Sequence, residues 1–155
     1  MNDGRPEYYF IIIVFCSFRS FSGAQIAELF LFVPIWKELD ADEFFEQHEF
    51  VGPLIYRFFA PLTIAATVVP LMTAMLNLIY FSDEYFIFLI MGVSTLMFFS
   101  TYFLYFKKAN KKFADRELSN DELPSALQEW SNWHRGRIFF EAIAFACSII
   151  ALLRT

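Results

Sequence analysis

From Phe58 to Ser82 the chain runs 25 residues without a charged side chain, and after Asp83 and Glu84 it runs another 22, from Tyr85 to Phe106. A helix needs about 20 mostly apolar residues to cross a ~30 Å hydrocarbon layer at ~1.5 Å per residue. Both stretches meet that length, and the two acids between them leave room only for a tight hairpin. Two more stretches qualify with interruptions: Tyr8–Trp36, which carries Arg19 and Glu28, and Ile138–Leu153, which carries Glu141 and lengthens if its helix starts near Trp133. A charge facing lipid costs several kcal/mol, so these three are expected to face protein or water. The expectation is an all-α, integral membrane four-helix bundle. It forms one domain over residues 1–155, with spans near 8–36, 53–82, 85–107 and 133–154.

Composition narrows the function classes. Hydrophobic residues make up 57% of the 155, charged residues 19% and aromatics 21%, including 22 Phe. That excludes disorder, collagen-like structure and a disulfide-stapled secreted domain. A soluble enzyme fits poorly, because so short a chain has too much surface to hide this many Phe. A net charge of −5, with no basic patch interleaved with exposed aromatics, argues against nucleic acid. The expected partners are the lipid bilayer and a hydrophobic small molecule, with a larger membrane complex or a second copy beyond them. Met1–Glu7 sets Asp3 and Glu7 against Arg5 and lacks a positive leader, so no cleaved signal peptide is expected. Lys37, Lys107, Lys108, Lys111, Lys112, Arg116, Arg135 and Arg137 lie on the side of loops 1–2 and 3–4, against Arg5 and Arg154 opposite. The positive-inside rule therefore predicts both termini outside the cytoplasm, in a membrane such as the bacterial inner membrane.

Local signals divide the spans. Asp40 and Glu43 have capping-box spacing and start a helix ahead of the second span. Gly52 and Pro53 are expected to kink or interrupt it, and Pro61 and Pro70 to bend it further. The polar run Lys107–Glu122 reads as an extension of the third helix followed by a loop, and Pro124, Ser125 and Gln128 read as the start of the last helix. Cys16 and Cys147 lie at similar depth, where either a disulfide or two free thiols is compatible with the spacing.

The intramembrane polar residues gather toward one end. Glu28, Arg57 and Glu141 each sit on the order of 10–12 Å in from the face bounded by loops 1–2 and 3–4, with His48 and His134 nearer that surface. At ~100° per residue, Trp130, His134, Arg137, Glu141 and Ser148 share one face, bordered by Trp133; Ser17, Phe21, Gln25 and Glu28 share another. Arg19 points the other way with Ser22 and Gly23. Three readings are open. Glu28, Arg57, Arg137 and Glu141 form two neutralising ion pairs that lock the bundle. Alternatively they line a pocket where a carboxylate or His48 or His134 moves a proton. In the third reading Glu28, His48, His134 and Glu141 hold a metal, although the Glu-x-x-His spacing of helical di-metal sites is missing. Trp130 and Trp133 read most simply as interfacial belt residues; with Gln25 they are also the residues placed to touch a ligand at that level.

The segment Trp130-Ser-Asn-Trp133-His134-Arg135-Gly136-Arg137, running into an apolar span, resembles the anthrone-oxygenase-like family of four-span membrane proteins. That family pattern has a Trp, an Asn or His directly after it, and an Arg four residues after the Trp; Trp133, His134 and Arg137 fit. Gly23, Pro34, the Phe and Pro spacing of Phe44–Pro61, and Asn110 extend the resemblance over most of the chain. A Lys-rich run stands where many members have Pro and Asn after the third span. The resemblance implies cofactor-independent oxygenation of a polycyclic phenolic substrate. His134 or Glu141 would be the base and Arg137 or Arg57 would stabilise the anion. Against this monooxygenase-like reading stands a non-enzymatic bundle, either an accessory subunit of a membrane complex or a lipid or pigment binder. Proton-coupled transport fits less well, because four helices are few for alternating access.

Overall fold

The computed structural model describes residues 6–80 and 85–154, with side chains from Tyr9 onward. The predicted hairpin at Asp83 and Glu84 lies outside them, as does most of the leader. The described residues form four helical rods and no strand. The first comprises α1 (Pro6–Ala27), a π-helical turn (Glu28–Phe32) and α2 (Val33–Glu38). The second is α3 (Ala41–Tyr80). The third comprises α4 (Tyr85–Thr101), a second π-helical turn (Tyr102–Phe106) and α5 (Lys107–Ala114), and the fourth is α6 (Leu123–Arg154). All four are long and apolar enough to cross a membrane. α1 packs on α3 and α6, and α4 packs on the same two, so the rods close into a ring.

Buried positions recur at alternating three- and four-residue steps. On α1 and the turn after it they are Ile11, Val14, Phe18, Phe21, Gln25 and Glu28. On α6 they run Leu123, Leu127, Trp130, His134, then Glu141, Ala144, Ser148 and Ala151, with Arg137 completing the spacing. This is the seam of a left-handed bundle, in which each rod turns one stripe inward. Away from it, large apolar side chains such as Phe86, Ile90, Ile64 and Met72 stand exposed, as lipid contact requires.

The second rod corrects one expectation. Gly52 and Pro53 do not interrupt it; α3 continues through Pro53, Pro61 and Pro70 for 40 residues. Each Pro deletes one backbone bond, but a break would strand many donors with no water to take them, so the helix persists. The predicted capping box is present: Glu43 N donates to Asp40 Oδ1 at 2.9 Å and Asp40 N to Glu43 Oε2 at 3.3 Å. Ala41 N is satisfied from afar by Asn120 Oδ1 at 2.9 Å. α5 extends the third rod as expected, and its end is marked by Arg116 in the left-handed region at φ 55°. α6 begins at Leu123, a full ten residues before the expected span, with Pro124 in its first turn. Just ahead of it, the Ser119 backbone N–H and hydroxyl hold the Glu122 carboxyl below the usual carboxylate range.

The overhanging ends form a cap. Rods of 30 to 40 residues are about 45–60 Å long, more than the hydrocarbon layer needs. At the loop end Trp36, Phe44, Phe106, Phe113, Leu127 and Trp130 pack into one aromatic cluster. At the other end Phe18, Ala74, Phe88, Met91 and Ala144 form a smaller-grained core. There α3 and α4 approach closely, and a Cβ added to Gly92 would meet the Ala74 Cβ at 3.3 Å. Gly92→Leu is therefore expected to wedge these helices apart and cost about 1–3 kcal/mol, read as earlier unfolding in detergent titrations. Unchanged stability would show that the two helices do not depend on this approach.

Candidate functional site

Away from the loop end, several hydroxyls and the Asn77 amide satisfy themselves within their own helices, while the buried Thr73 hydroxyl finds no partner among the described residues. Thr67 donates to Thr63 O, Asn77 to Thr73 O, Thr95 to Met91 O and Ser148 to Phe145 O, all at 2.7–2.9 Å. Such back-bonding is local and asks nothing of a neighbour. Toward the loop end the pattern changes, and polar groups reach across helices. Ser22 Oγ on α1 donates to Glu141 Oε1 on α6 at 2.6 Å. His134 Nε2 on α6 lies 3.1 Å from the Gln25 carbonyl oxygen of α1 and 3.7 Å from Glu28 Oε2. Arg137 Nη2 on α6 donates to Thr63 Oγ1 on α3 at 3.3 Å. Trp130 Nε1 donates to Asn110 Oδ1 on α5 at 3.0 Å.

These groups border an aromatic cavity of about 810 Å³ between α3 and the other rods, within the size range of ligand sites. Its walls include Trp36, Phe44, Phe59, Phe99, Phe106 and Trp130, and its polar lining includes Gln25, Glu28, His48, Thr63, Asn110 and Arg137. The Arg137 guanidinium lies over Phe98 at 4.6 Å, Phe106 at 5.3 Å and Phe21 at 5.9 Å from the ring centroids, so three ring faces share its charge. Both π-helical turns adjoin the cavity. One begins at Glu28, and the other presents Tyr102 and Phe106. The extra residue in such a turn shifts the register of the helix, which is how it re-aims side chains. The rim carries exposed Tyr56 and Ile64 on one side and exposed Glu49, paired with Arg116, toward the loops.

The sequence-predicted residues separate into three groups. Gln25, Glu28, Trp130 and Arg137 line the cavity, and fully buried His134 stands behind them with its ring stacked on Trp130 at 4.9 Å. His48 also lines it, half-buried, stacked on Phe44 at 5.3 Å and held against Gly52. Glu141 is buried one turn beyond Arg137, bonded to Ser22 and off the cavity wall. Trp133 is half-buried against Tyr105, rings 5.1 Å apart, and does not reach the cavity. Trp130 is no belt residue but an interior one.

Several readings change. Arg57 is exposed and outside the cavity, because Pro53 did not reset the phase of α3 and position 57 falls on its outward face. With it goes the pair of neutralising salt bridges, since Arg137 lies beyond 4 Å from both carboxylates and feels Glu28 and Glu141 only through space. Ser22, expected beside Arg19, faces Glu141 instead. Among the described residues no three of His, Cys, Asp and Glu converge, so Glu28, His48, His134 and Glu141 do not gather as one set. Cys16 is exposed and Cys147 buried, and both are free.

Thr63, Phe98 and Phe106 were missed by sequence reasoning, which placed Phe21 on the face of Gln25 and Glu28 without its contact to Arg137. Nothing in the sequence distinguishes Phe98 and Phe106 from the other Phe, and the π-helical turns leave no compositional mark. No family model, curated protein or solved structure matches the chain. The resemblance to the anthrone-oxygenase-like family rests on the residues quoted for it.

Asn110→Leu leaves the Trp130 indole N–H without its acceptor and is expected to destabilise the bundle by about 1–2 kcal/mol. In a Trp130→Phe background the same change is expected to cost much less, and equal costs in both backgrounds would contradict the bond's role.

Proposed function

We propose that the chain is a membrane-embedded oxygenase-like enzyme that takes a lipophilic aromatic substrate with an acidic C–H or O–H into the aromatic cavity. The observation that carries this reading is the pairing of a carboxyl, Glu28, and a guanidinium, Arg137, on the wall of an otherwise aromatic cavity large enough for a polycyclic ligand. Planar rings suit the walls, and an anion formed on such a ligand suits Arg137.

In this reading Glu28 rather than His134 or Glu141 is the base. It lines the cavity, whereas His134 is buried behind it and Glu141 is bonded to Ser22. Glu28 takes the proton from a ring-activated methylene, and Arg137 holds the enolate-like anion. The anion passes one electron to dioxygen, the two radicals combine to a peroxide anion, and Glu28 returns its proton to it. Loss of water then leaves a carbonyl, so one oxygen atom enters the product and the other leaves as water. His134, beside the Glu28 carboxyl at 3.7 Å, positions it and is the next group along for its proton. The excess of Lys and Arg in the loops 1–2 and 3–4 supports a cavity rim on the cytoplasmic side, with both termini outside, in a membrane such as the bacterial inner one.

The test uses purified protein in lipid nanodiscs with anthrone as the probe, following oxygen uptake and quinone absorbance. Glu28→Gln is expected to lower turnover at least about 10²-fold while probe binding, read by fluorescence quenching, stays near wild type. Arg137→Gln is expected to weaken both. Binding with no turnover in the wild type would instead favour the second reading, a non-catalytic binder of lipophilic aromatics, which the aromatic walls alone support.

A further inference from the structure

α1 turns an unusual face outward. Between Ile13 and Ile26 its exposed residues are Cys16, Arg19, Ser20 and Gly23, three small side chains and one cation. The outward faces of α3 and α4 at comparable positions carry Met72, Met75, Ile90 and Val93, the large apolar groups that lipid favours. Gly23 has open space around it, since a Cβ there would meet nothing within 4 Å. Arg19 makes no hydrogen bond or ion pair among the described residues. It follows Phe18, which is buried in the apolar core with Val14, Met91 and Ala144. Ten residues into the membrane span that begins at Tyr9, it sits about 15 Å along, half the thickness of the hydrocarbon. A guanidinium at that depth is costly against acyl chains, and its stem carries the head only part of the way to the interface.

We propose that this face docks the transmembrane helix of a different protein, which presents a carboxylate to Arg19 and packs its backbone against Cys16, Ser20 and Gly23. Charge selects the occupant. Among the described residues at that depth a second copy has no carboxylate to offer, because Glu28 and Glu141 are buried in their own bundle, and a symmetric pair would set Arg19 against Arg19. An acidic helix neutralises the cation, and the small residues let it come close enough to do so. The proposal is independent of any chemistry in the cavity, which opens on other rods.

The test reconstitutes the full chain in phosphatidylcholine vesicles with a Lys-flanked oligo-leucine transmembrane peptide bearing one central Asp, or Leu at the same site. Association is read by energy transfer from labelled protein. The Asp peptide is expected to bind about tenfold tighter than the Leu peptide. Arg19→Leu, which breaks no bond among the described residues, is expected to erase that difference, and Arg19→Glu to shift the preference to a peptide with a central Lys. Equal binding of the Asp and Leu peptides overturns the proposal, as does a preference that survives Arg19→Leu. So does energy transfer between copies that depends on Arg19, which would make the occupant a second copy.

Discussion

Hydrocarbon offers a polar side chain no partner, so every donor and acceptor carried into it must be met from within the protein. The bundle answers in two ways. Several of its hydroxyls and its Asn77 fold back on their own helix carbonyls and become locally neutral. The buried titratable groups of α1 and α6 have no such recourse, and they lie on the seam where the two rods face each other. Glu28 and His134 meet there, Glu141 meets Ser22, and Arg137 spreads its charge over three Phe rings. Burying these groups is expensive. Their inward orientation fixes the rotation of both rods about their axes.

With those rotations set, the remaining architecture follows from length and from two register shifts. The rods overrun the membrane at one end and close there as an aromatic cap. The π-helical turns at Glu28–Phe32 and Tyr102–Phe106 let each rod supply one phase to the span and another to the cap. Between these phases, against the Pro-bearing half of α3, the packing leaves the cavity. The polar seam and the cavity therefore share a wall, and the charged groups that the membrane forces inward are the ones a ligand would meet.

Much of this was legible beforehand. Charge-free runs of more than 20 residues dictate spanning helices, and the capping box at Asp40 and Glu43 and the Pro124 start were readable from spacing alone. The inward stripe of Trp130, His134, Arg137 and Glu141 follows from 100° per residue, because α6 has no break to spoil the count. Depth alone was not enough. Arg57 was drawn into the site by its distance from the loop face, with no angle assigned across Pro53, while α3 runs on unbroken and turns Arg57 out. Trp130 and Trp133 look alike in a sequence, yet one faces Asn110 and the cavity and the other Tyr105. Phe21 shared the inward face of Gln25 and Glu28, but Phe98 and Phe106, which close the cage around Arg137, were hidden by abundance: with 22 Phe in the chain, two special ones carry no signal.

The account stands on α1 and α6 presenting Glu28 and His134 to each other inside the bundle. Solid-state NMR of the protein in lipid bilayers, with ¹⁵N in histidine and ¹³C in glutamate carboxyls, measures that approach through their dipolar coupling. The account predicts a clear coupling between the His134 Nε2 and the Glu28 carboxyl, consistent with 3.7 Å from nitrogen to oxygen, that disappears in Glu28→Gln without ¹³C label at that site. No coupling in the wild-type bilayer sample would mean that the two rods are rotated otherwise, and the shared wall of seam and cavity would not exist.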